Sequence, residues 1–169
     1  KYFAQMREVY EKYASSSNNP AETLNDLKLL FPVHPATANM ATYYAREVGS
    51  SSRSVFEFLG DNPAIREFLD SEEAFAHGHM ITADYLWDFV QEEFNKKITK
   101  YGIVTEKFNS YKNHATKKVP NHLAVFKSIL LLNAFNNLAA NETVTPSEEN
   151  IRNMYVGTPI DEEMDEILN

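Results

Sequence analysis

Leu123-Ala124-Val125-Phe126-Lys127-Ser128-Ile129-Leu130-Leu131-Leu132-Asn133-Ala134-Phe135-Asn136-Asn137-Leu138 is the most apolar stretch of the sequence. Its apolar side chains surround a helical axis instead of forming a single stripe, which predicts a buried central helix around which the other segments pack. The flanking segments repeat near 3.6 residues, and prolines or capping residues mark their ends. Downstream, Thr145-Pro146-Ser147-Glu148 reads as a capping box with Pro at the first helical position. Thr158-Pro159-Ile160-Asp161 repeats that grammar, so two short helices close the chain. Upstream, Pro120 ends a more polar helix from about Val104 to Lys118, and Thr82 opens a long amphipathic one carrying Tyr85, Leu86, Phe89, Val90 and Phe94 on one stripe.

Further towards the N-terminus, Asn62-Pro63 opens a short helix through Phe68 and Leu69, and Arg53 to Leu59 forms another that stops at Gly60. A helix from about Pro35 to Val48 stops at Gly49. Asn19-Pro20-Ala21-Glu22 is a helix entry, and Lys1 to Ala14 spaces Tyr2, Phe3, Met6, Val9, Tyr10 and Tyr13 as one amphipathic helix. Glu72 to Met80 carries the weakest pattern. With no strand-length β-branched alternation and no repeat at a fixed period, the expected class is all-α. Gly102 interrupts the pattern and marks the expected boundary between helical subdomains 1–101 and 102–169.

The composition sets limits on function. The 169 residues are 43% hydrophobic and 12% aromatic, enough for a core. Sixteen Lys+Arg against 24 Asp+Glu give a net charge of -8, which repels nucleic acid from most of the surface. The absence of cysteine excludes disulfides, thiolate metal sites and cysteine nucleophiles, and fits a cytoplasmic protein. No apolar run approaches the roughly 20 residues of a membrane helix. Asn141-Glu142-Thr143 matches a glycosylation acceptor, read here as chance. Lys1-Tyr2-Phe3 and Glu166-Ile167-Leu168-Asn169 each lie inside an amphipathic pattern, as expected of a piece of a longer protein.

Catalytic signatures are sparse. The glycines at 49, 60, 78, 102 and 157 are too far apart for a phosphate-binding loop. His77-Gly78-His79, beside Glu72 and Glu73, offers two imidazoles, but a tight metal site needs three or four preorganised ligands, so they are read as loop histidines and no metal ligand is assigned. Glu92-Glu93, Glu148-Glu149 and Asp161-Glu162-Glu163 suit helix starts and polar faces. Ser50-Ser51-Ser52 lacks the glycines of a nucleophile elbow, and Trp87 reads as core or subdomain interface.

Phe31-Pro32-Val33-His34-Pro35 stands apart. Each proline pushes the residue before it towards extended geometry, and Pro35 can begin the next helix, so the segment is a stiff elbow. Beyond one helix-length comes Ser50-Ser51-Ser52-Arg53-Ser54-Val55-Phe56-Glu57-Phe58-Leu59, which puts a cation at a helix start, where the macrodipole disfavours it by roughly 0.3–1 kcal/mol. An Arg53–Glu57 pair offsets only a few tenths of that, being in the weaker orientation. An anion, with phosphate the best match to a guanidinium fork, is the natural external partner.

In order, the elbow, a helix, Ser52-Arg53-Ser54-Val55-Phe56-Glu57-Phe58-Leu59, and then Tyr85-Leu86-Trp87-Asp88-Phe89 resemble the region after the nucleotide-binding core in large bacterial AAA-like P-loop ATPases, several associated with phage defence or DNA restriction. The resemblance implies a helical lid over the nucleotide, with Arg53 placed like a sensor arginine that meets the γ-phosphate and the Phe31 to Pro35 elbow setting the lid angle. His34 is counted with Arg53 as a cofactor-binding candidate, against the plainer reading of a rigid connector in which His34 is hydrogen-bonded in place. Residues 123–138, the Thr145 box and the Thr158 helix resemble the first three helices of a winged-helix domain. Ser52 departs from the glutamate common before that arginine. The implied cofactors, ATP and magnesium, belong to the parent protein and none to this chain, for which no catalytic residue is expected. The implied partner is the ATPase core of the same polypeptide, with a homo-oligomer left open and neither nucleic acid nor membrane expected. Two alternatives differ in class. One is a free-standing helical interaction module that grips a partner through Tyr43-Tyr44 or Trp87, and the other is a small metal- or ligand-binding enzyme built on His77, His79 and His122.

Overall fold

The computed structural model describes residues 2–47, 55–117, 121–137 and 141–169. Those residues are all-α: twelve α-helices and one 3-10 turn, with a single isolated bridge, Val33 to Ile81, as the only β-type pairing among them. The central helix is α10, His122–Asn136. Val125, Leu131, Leu132 and Phe135 are almost wholly inaccessible, as expected of a helix apolar on every side.

Two long helices pack on α10, namely α8 (Ala83–Lys96) and α9 (Ile98–Thr116). Their interface is aromatic. Phe94 stacks on Tyr101 at 4.3 Å between ring centroids, Trp87 meets Phe108 at 5.2 Å, and Phe94 meets Phe135 edge-on at 6.5 Å. Helix α9 runs unbroken through Gly102, and one cluster of buried residues extends from Met6 to Ile167. The boundary expected at Gly102 therefore falls inside a continuous helix. A glycine within a helix costs only about 1 kcal/mol relative to alanine, which the packing of α9 against α8 and α10 offsets.

The N-terminal helices complete the bundle. The segment expected as one helix is two, α1 (Tyr2–Gln5) and α2 (Arg7–Ser15), because the backbone turns at Met6. Met6 is 1% exposed, and its side chain sits against Gly157. Helix α3 (Pro20–Leu29) starts behind Asn19 with Pro20 in its first turn, and α4 (Pro35–Glu47) follows the elbow. Short helices α5 (Val55–Gly60), α6 (Pro63–Asp70) and α7 (Glu72–Ala76) lead to α8. Asn62 and Ser71 cap α6 and α7 by accepting from the backbone N–H groups of Ala64 and Ala74.

Helices α11 (Glu148–Asn153) and α12 (Pro159–Leu168) close the chain as expected, with one shift of register. Ser147, not Thr145, caps α11 by accepting from Asn150 N–H, because Asn150 turns its amide back onto the carbonyls of Glu142 and Thr145 and holds residues 142–146 outside the helix. The Asn141 side chain caps the 3-10 turn by accepting from the Thr143 N–H and hydroxyl, so the apparent glycosylation acceptor is a structural turn.

Candidate functional site

The elbow is built into the core. Val33 N–H donates to Leu30 C=O at 2.8 Å, the Phe31–Pro32 peptide is cis, and the chain then runs parallel to residues 80–82. His34 N–H donates to Ile81 C=O and Ile81 N–H to Pro32 C=O, both at 3.0 Å. The His34 ring is 0% exposed. Its Nδ1 accepts from Ala36 N–H at 3.2 Å and so carries no proton, which makes Nε2 the donor to Val156 C=O at 3.1 Å. Burial disfavours the charged ring and lowers its pKa to about 4, outweighing the hydrogen bond to Val156, so at neutral pH the ring is uncharged. Both ring nitrogens are thus spent on backbone groups, and His34 presents neither to a phosphate. Arg53, the other expected site residue, lies outside the described residues. Helices α4 and α5, on either side of it in sequence, pack against each other, and Phe58 of α5 is 1% exposed against Phe89 of α8.

Beside the elbow lies a cleft of about 490 Å³. The first turns of three helices line it: Thr82, Asp84 and Tyr85 of α8, Asn121 and Ala124 of α10, and Thr158 and Ile160 of α12. Glu73, His77 and His79 form the outer wall. The Thr82 hydroxyl donates to Asp84 Oδ1 at 2.5 Å, and burial raises the Asp84 carboxyl above its ordinary pKa despite that bond. Asp84 escaped the sequence reading because a carboxylate two residues into a helix is ordinary dipole compensation; its one signal was the Thr82-x-Asp84 spacing. In the structure it lies part-buried where three helices begin, and the Thr82 hydroxyl and the helix N-termini favour its charged form against the cost of burial.

A second cleft, of about 470 Å³, is lined by Glu57, Asp61, Asp88 and Glu92 and the ring of Phe89. Both clefts carry carboxylates and neither has a Lys or Arg among its lining residues; the second, with four carboxylates, repels phosphate. A third, of about 330 Å³ between α2, α3 and α4, holds the Arg46 guanidinium 5.2 Å from the centre of the Tyr43 ring. His77 and His79 share the first cleft's wall, whereas His122 starts α10 and is not among the residues lining that cleft. Among the described residues no three His, Asp or Glu side chains are arranged to hold a metal ion. No described helix is long and apolar enough to cross a membrane. Tyr43, Tyr44 and Trp87, the expected gripping aromatics, are 4%, 1% and 0% exposed, so they belong to the core. Comparison with protein-family models, curated protein sequences and solved structures finds no match.

Proposed function

We propose that this chain is the helical lid and sensor segment of a larger P-loop ATPase, coupling nucleotide state to the movement of neighbouring domains. One observation carries the reading: the segment with Arg53 leaves from α4 and returns through α5, and both helices are anchored in one aromatic core that also contains the elbow. An arginine tethered at both ends to a packed body can report on a phosphate held elsewhere by moving that body. The carboxylate-lined clefts favour this division of labour, since they suit a module that does not hold the nucleotide itself. In this reading α10, α11 and α12 are the start of a winged helix. In the full-length ATPase, Arg53→Ala is expected to lower turnover about ten- to a thousand-fold, the scale of one charge-assisted transition-state contact, while leaving this chain's thermal midpoint nearly unchanged. Lysine should not restore the rate fully, because an ammonium lacks the bidentate fork. Normal turnover with a lowered midpoint would make Arg53 a structural anchor and end the proposal.

A second reading, a helical interaction module, rests on a different observation. Leu29 is 82% exposed, and Leu30, Phe31 and Phe3 beside it are 37%, 37% and 41% exposed, with the Phe3 and Phe31 rings 6.1 Å apart. A contiguous apolar strip of this kind marks contact surfaces. If it mediates self-association, sedimentation velocity will show a dimer that Leu29→Asp dissociates without lowering the melting temperature. A monomer at all concentrations would remove that form of the reading.

A further inference from the structure

The turn between α11 and α12 touches three regions far from it in sequence. Val156 C=O accepts the His34 Nε2 proton. Gly157, at φ +79°, lies so close to Met6 that an added Cβ would stand 2.9 Å from the Met6 Cγ. Tyr155 reaches the central helix, its hydroxyl donating to Ala124 C=O at 2.9 Å and lying 2.5 Å from Ser128 Oγ. Within the turn, the Thr158 hydroxyl donates to Tyr155 C=O at 2.6 Å and Gly157 N–H to Asp161 Oδ2 at 3.2 Å, so the turn and the first residues of α12 form one hydrogen-bonded unit. Farther along, α12 is held by its buried Met164 and Ile167, by Glu163 accepting from Asn121, and by an exposed Arg152–Asp165 pair.

We propose that His34 is the positioning residue that hangs α12 on the elbow, so that a displacement of residues 31–35 reaches the C-terminal helix through the His34–Val156 hydrogen bond. The imidazole end of the bond is fully buried and the Val156 end only partly so; a ring N–H left inside without its acceptor is costly, so the two segments keep their relative position unless both rearrange. This deepens the lid reading by naming the element that the elbow moves, yet the joint exists, or fails to, without any nucleotide. Its failure is therefore distinguishable from failure of the Arg53 prediction.

The test is hydrogen exchange on this chain, comparing His34→Leu, which removes the donor, with His34→Gln, which can restore one. The amides of Thr158 and of residues 160–168 are expected to exchange about tenfold faster in His34→Leu, with those of α2 and α9 changed less than about threefold and glutamine recovering most of the protection. Uniform acceleration along the chain would reduce His34 to ordinary core packing, and no change would show that the joint carries nothing; either overturns the proposal. Nitrogen-15 spectroscopy of the unaltered protein stands even if the leucine variant does not fold. It should show His34 as the Nε2–H tautomer with a slowly exchanging ring proton, and the opposite tautomer or a rapidly exchanging proton overturns the assignment.

Discussion

The aromatic interior between α8, α9 and α10 and the knot of turns around His34 are both buried, but different forces hold them. In the first, Trp87, Phe94, Tyr101, Phe108 and Phe135 meet ring to ring on regular helices, and stability comes from apolar area and close packing. In the second, irregular segments cross, and their backbone groups are satisfied one by one: Ile81 by His34 and Pro32, Val156 by the imidazole. Apolar packing tolerates small repacking and is insensitive to pH. A knot of single hydrogen bonds centred on a titratable ring is sensitive to both.

Trp87→Ala should be the most damaging change, removing a side chain of 0% exposure and leaving a cavity, with about 3–5 kcal/mol lost in urea unfolding at constant pH. A loss below about 1 kcal/mol would mean that the interior collapses easily and that the aromatic contacts contribute little.

Acid should act on the knot instead. The native His34 ring binds its proton only near pH 4, whereas an unfolded histidine binds one near 6.5. Its contribution is therefore complete above about pH 6.5 and is lost as the pH falls towards 4, by up to about 3 kcal/mol. Asp84 works in the opposite sense: its raised carboxyl takes up a proton in the native state before the unfolded one does, which offsets part of the loss. Urea midpoints between pH 7 and 4 check this, and the slope above pH 4 should flatten in His34→Gln. An unchanged slope in that variant would transfer the effect to other groups.

The smallest effect expected of the three comes from Gly157→Ala. Alanine at φ +79° is strained and its Cβ meets the Met6 side chain, together costing about 2 kcal/mol. In a Met6→Ala background the steric part should disappear and about 1 kcal/mol of backbone strain remain. Equal losses in both backgrounds would show that the contact with Met6 is slack.

The difference between the two regions also governs how much of each is legible before folding. The helices of the aromatic interior announce themselves through the spacing of Tyr85, Leu86, Phe89 and Phe94 and the apolar run 123–138. The Asn62 cap falls where expected, and α12 starts behind Thr158 as expected, but the Thr158 hydroxyl turns back to Tyr155 C=O and makes no cap bond, while Asp161 accepts from Gly157 N–H. Periodicity misplaces Gly102, because a glycine weakens a helix locally while the contacts that keep it helical come from α8 and α10. It misplaces the α11 cap for a similar reason, since Asn150 bonds carbonyls five and eight residues before it. Of the expected site, His34 is legible as the centre of a stiff elbow, but its engagement by Val156, 122 residues away, is not.

The amino-acid order by itself determined the all-α class, the central helix, the elbow and the absence of cysteine chemistry, because each follows from local sterics, spacing or composition. Only the tertiary structure decided that the elbow pairs with Ile81, that His34 is a neutral donor to Val156, that Asp84 lies where three helices begin, and that Tyr43 and Trp87 are core. Those outcomes depend on contacts between segments far apart in the chain, and on the low polarizability of the space they enclose, neither of which leaves a periodic trace in the sequence.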